Sequence, residues 1–197
     1  MGKARLEAFS DGVLAIIITI MVLELKVPHG ADLSSLLPLI PVFLSYLLSF
    51  VFIGIYWSNH HHLLHTAHHV NGRILWANLH LLFWLSLVPF ATGWMGENDF
   101  APAPTGLYGV PLLMAAIAYR LLQKAIIAAQ GHRSLLADAL GNDLKGKVSP
   151  VLYAIAIPSA FLHQWIAGGI YVFIALIWLV PDRRIERALA RGDGETP

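Results

Sequence analysis

Six histidines crowd the stretch "NHHHLLHTAHHV", at His60, His61, His62, His65, His68 and His69, and His80 follows a little further on. Neutral imidazole is a common metal ligand, and its charge changes near physiological pH. On a helix His61, His65 and His68 share a face, a spacing that suits a bound metal. A second stretch that bears chemistry is "RLEAFSDGVLAIIITIMVLEL", where Arg5, Glu7, Ser10 and Asp11 open a run otherwise apolar enough to cross a bilayer. An ionised Asp near a membrane centre costs about 2.5–3.5 kcal/mol, less toward the ends, and such a group finds a protein or water partner. Asp11 sits about two turns inside the run and needs one. Arg5 is near in sequence but lies off its face. Trp57, Asn59, His60 and His61 stand at the same depth in the second apolar run, so a network from Ser10 and Asp11 to that run would set how the two helices pack.

The histidines invite an enzymatic reading. His65, His68 and His69 form H-x-x-H-H, which resembles one histidine box of the membrane di-iron desaturases and hydroxylases. Two irons need further boxes on other segments, and His29, His80, His132 and His163 occur only as singles. A haem held by one His on each of two helices, such as His62 and His80, lacks a second matched pair. The ordinary role is a polar, partly charged cap at the cytoplasmic ends of the helices, with metal capture and pH sensing as alternatives. No nucleophile with its base, phosphate loop or dinucleotide fingerprint occurs. The expectation is therefore a protein that is not an enzyme, with no catalytic residues, no metal and no cofactor.

The elements that must hold these residues follow from composition. Hydrophobic residues make up 57 % of the chain, charged residues 13 %, and mean hydropathy is +0.64. Charged residues in soluble domains run near ~25 %, so this is a polytopic membrane protein. The basic residues are spread rather than gathered in a stripe, which argues against nucleic acid as a partner. Without cysteine there are no disulfides or thiolate metal sites. The first apolar run is longer than a signal-peptide core and lacks a small-residue cleavage pattern, so it reads as a retained helix.

Roughly 20 apolar residues cross a bilayer, and that rule predicts spans over 7–25, 39–57 with a His-rich extension to His69, 74–95 bent at Pro89, and 106–129. The stretch 151–180 is too long for one span, and Pro158, His163 and the Gly168-Gly169 pair favour two helices broken near His163 and Gln164. Six spans with both ends cytoplasmic put every basic residue except Lys26 inside, as the positive-inside rule asks. The fold class is an all-α integral membrane protein with six transmembrane helices per subunit. Residues 1–184 form the membrane domain, and 185–197 a short polar cytoplasmic tail. Beyond Asp11, Ile16, Ile20 and Leu23 stack on one face of the first helix with Thr19 beside them. That pattern alone fits a lipid-facing or bundle-packing stripe better than a pore lining.

Arg5, Phe9, Ser10 and Asp11 make R-x-x-x-F-S-D, followed by an apolar run and "VLEL", and Trp57, His60 and His61 make W-x-x-H-H. Together these resemble the transmembrane protein 175 family, potassium channels of prokaryotes and of animal endosomes and lysosomes. The resemblance implies a potassium-selective channel whose pore is lined by the first helix. With one six-helix repeat per chain, it implies a homotetramer. No T-V-G-Y-G loop is present, so a filter of stacked carbonyls is not expected. By distance from Asp11, the resemblance puts the constriction at Ile16, with Ile20 and Leu23 as further rings and Thr19 hydroxyls beside them. Arg5, Phe9, Ser10, Asp11, Trp57, His60 and His61 then form a structural and gating network. The expected partners are potassium ions, membrane lipids and other copies of the chain, in the cell membrane of a bacterium as a multi-pass protein. A secondary cation transporter is the other non-enzymatic alternative, but it would show broken helices at mid-membrane and internal symmetry.

Overall fold

The computed structural model describes residues 2–67, 69–130 and 143–179, and among them the chain is all-helical. Helix α1 spans Lys3–Leu23. A 3₁₀ helix, Leu33–Leu39, leads into α2, Ile40–His65, whose Pro41 sits in the first turn, where a missing N–H costs no hydrogen bond. Helix α3, Gly72–Ser86, is capped by Asn71, whose side chain accepts from the Ile74 N–H at 3.0 Å. Helix α4 covers Val88–Glu97, and α5 runs unbroken over Pro102–Gln130. Helices α6, Leu144–Leu162, and α7, Gln164–Leu179, close the described fold.

The span expected over 74–95 is two helices rather than one bent helix. Proline has no N–H to donate and its ring collides with the carbonyl four residues back. The chain breaks at Leu87, two residues before Pro89, and α4 starts afresh. The break expected near His163 is also present. His163 is extended, with φ −162° and ψ 117°, and the chain reverses there. Lys145 Nζ donates to the Ile177 carbonyl at 3.1 Å, and Trp178 Nε1 to Ser149 Oγ at 2.8 Å, so the start of α6 lies against the end of α7. Other boundaries move outward. Helix α6 begins at Leu144 because Asp143 caps it through the Gly146 N–H at 3.0 Å, and α5 begins at Pro102 instead of 106.

Four segments are long and apolar enough to cross a membrane: Lys3–Leu23, Leu33–His65, Gly72–Glu97 and Pro102–Gln130. Helices α6 and α7 add the apolar hairpin that makes six helical passes. Of the eight described basic residues, Lys26 stands at one end of the bundle and the other seven at the end that holds Lys3. The expected tail, 185–197, lies outside the described residues.

Helix α1 packs on α2, α3 and α4, whereas α7 packs on α2, α5 and α6. Small residues set the close approaches, as they do between helices in lipid. A Cβ on Gly96 of α4 would come within 2.8 Å of the Val42 backbone of α2, and one on Gly109 of α5 within 2.8 Å of Ile157 on α6. Buried hydroxyls join helices in the same interior: Ser49 of α2 lies 2.7 Å from Thr92 of α4 and 3.0 Å from Tyr108 of α5.

Candidate functional site

Helix α1 has two faces of different character. Leu6, Ser10, Leu14, Ile17 and Met21 recur at three- and four-residue steps and are buried against the rest of the subunit. The opposite face carries Phe9, Ile16, Thr19, Ile20 and Leu23, all exposed; Ile16 keeps 58 % of its surface and Leu23 80 %. In a helix surrounded by apolar solvent, burial of the serine and exposure of the isoleucines is the reverse of an aqueous pattern, and a hydrogen-bond network explains it.

Ser10 donates its hydroxyl to the Leu6 carbonyl at 2.9 Å, one turn back. Its oxygen then accepts from Asn78 Nδ2 of α3, also at 2.9 Å. With the amide nitrogen so used, Asn78 Oδ1 is left as the acceptor for His60 Nε2 of α2 at 2.6 Å. The donors run in one direction, so the network assigns the His60 proton to Nε2. Ser10, His60 and Asn78 are each 2 % exposed or less, and leaving any of these groups unpaired would cost its full desolvation. The three residues clamp α1, α2 and α3 at one depth.

Asp11 faces the other way and accepts from Trp57 Nε1 at 3.0 Å on the exposed side of the α1–α2 seam. His61 stacks on the Trp57 ring with centroids 6.3 Å apart, and His65 stacks on His61 at 6.0 Å. Lys3 closes the end of the seam by donating to the His65 carbonyl at 2.7 Å. Among the described residues the Arg5 side chain makes no hydrogen bond or ion pair and Phe9 no ring contact; both are exposed on the outward face and do not join the network. Asn59, at the expected depth, serves its own helix by donating to the Ile55 carbonyl at 2.8 Å.

Asn78, the hub of the network, escaped the sequence reading. Its only signal was an amide standing alone in the apolar stretch "RILWANLHLLFW". His60 is bonded to Asn78, His80 Nε2 accepts from Trp84 at 2.9 Å, and among the described residues no three His, Cys, Asp or Glu side chains converge. His68 lies outside the described residues.

Thr19 donates its proton to its own helix, shared between the Ala15 and Ile16 carbonyls at 3.0 and 2.9 Å. Its oxygen lone pairs, and not an O–H, therefore face outward, the orientation a cation needs. At the far end of α1, Lys26 bonds Glu97 at 2.6 Å in solvent. Glu24, following the last turn of α1, packs against Gly93. Burial, and secondarily the Glu97 charge, raise its pKa above the usual glutamate value.

This arrangement coincides with a known family. Residues 5–89, which hold α1 to the start of α4 and the whole Ser10–Asn78–His60 clamp, match the family described as endosomal/lysosomal potassium channel TMEM175. A potassium channel of Chryseobacterium sp. (strain P1-3) is 56 % identical over 189 residues, covering 96 % of this chain and 98 % of that one. The chain belongs to the TMEM175 family. The crystal structure of a lysosomal potassium-selective channel TMEM175 homolog from Chamaesiphon minutus superposes with a TM-score of 0.79 at 32 % identity, over 91 % of this chain and 97 % of that one. The endosomal/lysosomal proton channel TMEM175 of Gallus gallus is 41 % identical over 75 residues, 32 % of this chain and 15 % of that protein. Members of the TMEM175 family are ion channels and not enzymes, so the di-iron and transporter alternatives are not favoured.

Proposed function

We propose that this chain is the subunit of a potassium channel in the cell membrane, and that four copies place the outward faces of α1 around a common axis. The observation that carries this reading is the open stripe of Ile16, Ile20 and Leu23 on a helix whose opposite face is clamped by buried hydrogen bonds, in a chain 56 % identical over nearly its whole length to a protein named a potassium channel. Fourfold closure gives each stripe an identical neighbour and generates a central passage. The bundle end that holds Lys3, with seven of the eight described basic residues, faces the cytoplasm.

Ile16 forms the narrowest ring, and Ile20 and Leu23 form wider ones toward the outer mouth. Moving a bare ion from water into a low-dielectric medium costs on the order of 20 kcal/mol, so a dry aliphatic ring blocks conduction until it widens and wets. Thr19 lies one turn outward of Ile16, and its oxygens, with their protons turned inward to the helix, substitute for part of the hydration shell. Potassium sheds water more readily than sodium, which makes such a partly dry ring discriminate in its favour. Potassium ions and lipids are the only small partners this role requires, and no cofactor enters it.

Potassium flux from proteoliposomes, with sodium and a protonophore as controls, tests the reading. Ile16→Asn is expected to raise conductance and Thr19→Ala to weaken discrimination against sodium. Unchanged conductance and selectivity in both variants would remove these residues from the pore, and absence of any flux at all voltages would remove the channel reading itself.

A further inference from the structure

Helices α2 and α7 border a groove of about 520 Å³ that no residue of α1 lines. Its mouth is at the end of the bundle opposite Lys3, among Met95, Phe100, Thr105 and Gln164. One wall is α2 from Leu44 to Val51, and the other is a single face of α7 through Gly168, Val172, Leu176 and Leu179. That volume lies in the range of ligand sites, roughly 300–1,000 Å³.

Two features of the backbone have no explanation within the subunit. Gly168 and Gly169 stand side by side in α7, where glycine weakens a helix, yet a Cβ on either would meet nothing within 4 Å. They differ in this from Gly96 and Gly109, which close packing requires. Bare backbone on a membrane helix lets a neighbour approach closely, and here the space for that neighbour is the groove. At the mouth, Asp99 and Phe100 have φ 50° and 58°, the left-handed region that larger side chains avoid. This conformation sets the Phe100 ring 5.5 Å from that of Trp165, and both rings line the groove. Backbone strain of this kind recurs at ligand clamps.

The occupant must match an uncharged wall. Among the described residues no charged side chain lines the groove. Of its polar groups, the Thr105 hydroxyl donates to the Phe100 carbonyl at 2.9 Å and the Tyr171 hydroxyl to the Thr105 carbonyl at 3.1 Å, while Gln164 stands half-buried at the mouth. The chain beyond Leu179 is a poor match, since residues 180–197 include eight charged side chains. A helix of a second copy is too thick: at about 10 Å across, ten residues of one occupy on the order of 1,200 Å³, more than twice the groove. A single hydrocarbon chain is thin enough and as apolar as the walls. Depth agrees, because the α7 wall is about 22 Å long and the α2 wall about 10 Å, against about 15 Å for half of the hydrocarbon core.

We propose that the groove holds one acyl chain of an outer-leaflet phospholipid, which lies over Gly168 and Gly169 under the Phe100–Trp165 clamp, its ester carbonyl accepting from the Gln164 amide. The leaflet rests on the orientation proposed above; occupancy itself is measurable whether or not the protein conducts.

Native mass spectrometry of the full-length protein released from phosphatidylcholine nanodiscs tests the site. One phospholipid per subunit is expected to stay bound in the wild type, at least tenfold more weakly in Gly169→Leu, which fills the groove, and less markedly so in Phe100→Ala. Dihexanoyl phosphatidylcholine is expected to bind at least tenfold more weakly than the dioleoyl lipid, whereas dioleoyl phosphatidylglycerol binds as well as dioleoyl phosphatidylcholine. This chain-length series uses only the wild type, so it decides the matter even where a variant does not fold. Equal retention in wild type and Gly169→Leu, or equal binding of short and long chains, would overturn the proposal. So would a change of oligomeric state in Gly169→Leu, which would place a second copy in the groove.

Discussion

In the first half of α1, Ser10 and Asp11 are each bonded to another helix, at 2.9 and 3.0 Å; from Ile16 onward, the outward face of the same helix lies open along its length. Both halves belong to one continuous element of 21 residues, so the difference is not one of secondary structure. It shows how a membrane helix divides its work. Directional bonds fix its depth and rotation where polar groups cannot be left unpaired. A face that carries no polar obligation is then free to meet other copies, water or ions. The comparison predicts that substitutions in the first half change stability and those in the second change conduction.

The sharpest break of that comparison is at Asn78. Asn78→Leu leaves the Ser10 oxygen and the His60 Nε2 proton buried without partners, a loss expected at about 2–4 kcal/mol and measured as a fall in the melting temperature of the purified protein. Next in size is the opposite case, Ile16→Asn, which is expected to raise potassium flux several-fold while changing stability by less than about 0.5 kcal/mol, because the side chain is open in the subunit. A large drop in melting temperature in this variant would place Ile16 in a packed core and defeat the division of the helix. Trp57→Phe keeps a ring over His61 but removes the donor to Asp11, and its expected cost of about 0.5–1.5 kcal/mol is smaller because the bond is exposed. Glu24→Gln is the smallest effect. The folded pKa of Glu24 is raised, so its folded state holds the proton more tightly than the unfolded chain. Its contribution is favourable at acid pH and is lost as pH rises through the folded value. A carboxylate at a helix C-terminus also opposes the macrodipole. The glutamine variant should therefore gain a few tenths of a kcal/mol near neutral pH and nothing in acid, a difference read from melting curves at two pH values.

Most of the architecture was legible because membrane helices obey a length rule and prolines interrupt them. The break before Pro89 and the reversal at His163 are local steric facts, visible in the residues themselves. The seam between Asp11 and Trp57 was foreseeable from depth alone, since both stand about equally far from their helix ends. The clamp was not. Asn78, Ser10 and His60 are far apart in sequence, and nothing in the periodicity of α3 distinguishes an amide that bonds α1 and α2 from one that bonds its own backbone, as Asn59 does. Likewise Arg5 and Phe9, neighbours of Ser10 in the same signature, lie outside the network because a helix turns each residue by 100° and only every third or fourth one shares a face.

The sequence by itself determined that the chain is a helical membrane protein, where its helices break, and the family it resembles, since composition, span length, proline sterics and a local signature need no third dimension. Only the tertiary structure decided which polar groups find partners. It joined Ser10 and His60 through Asn78 and turned the Thr19 lone pairs outward. Hydrogen bonds are short and directional, so their partners are set by how helices cross and rotate, a geometry that no single helix contains.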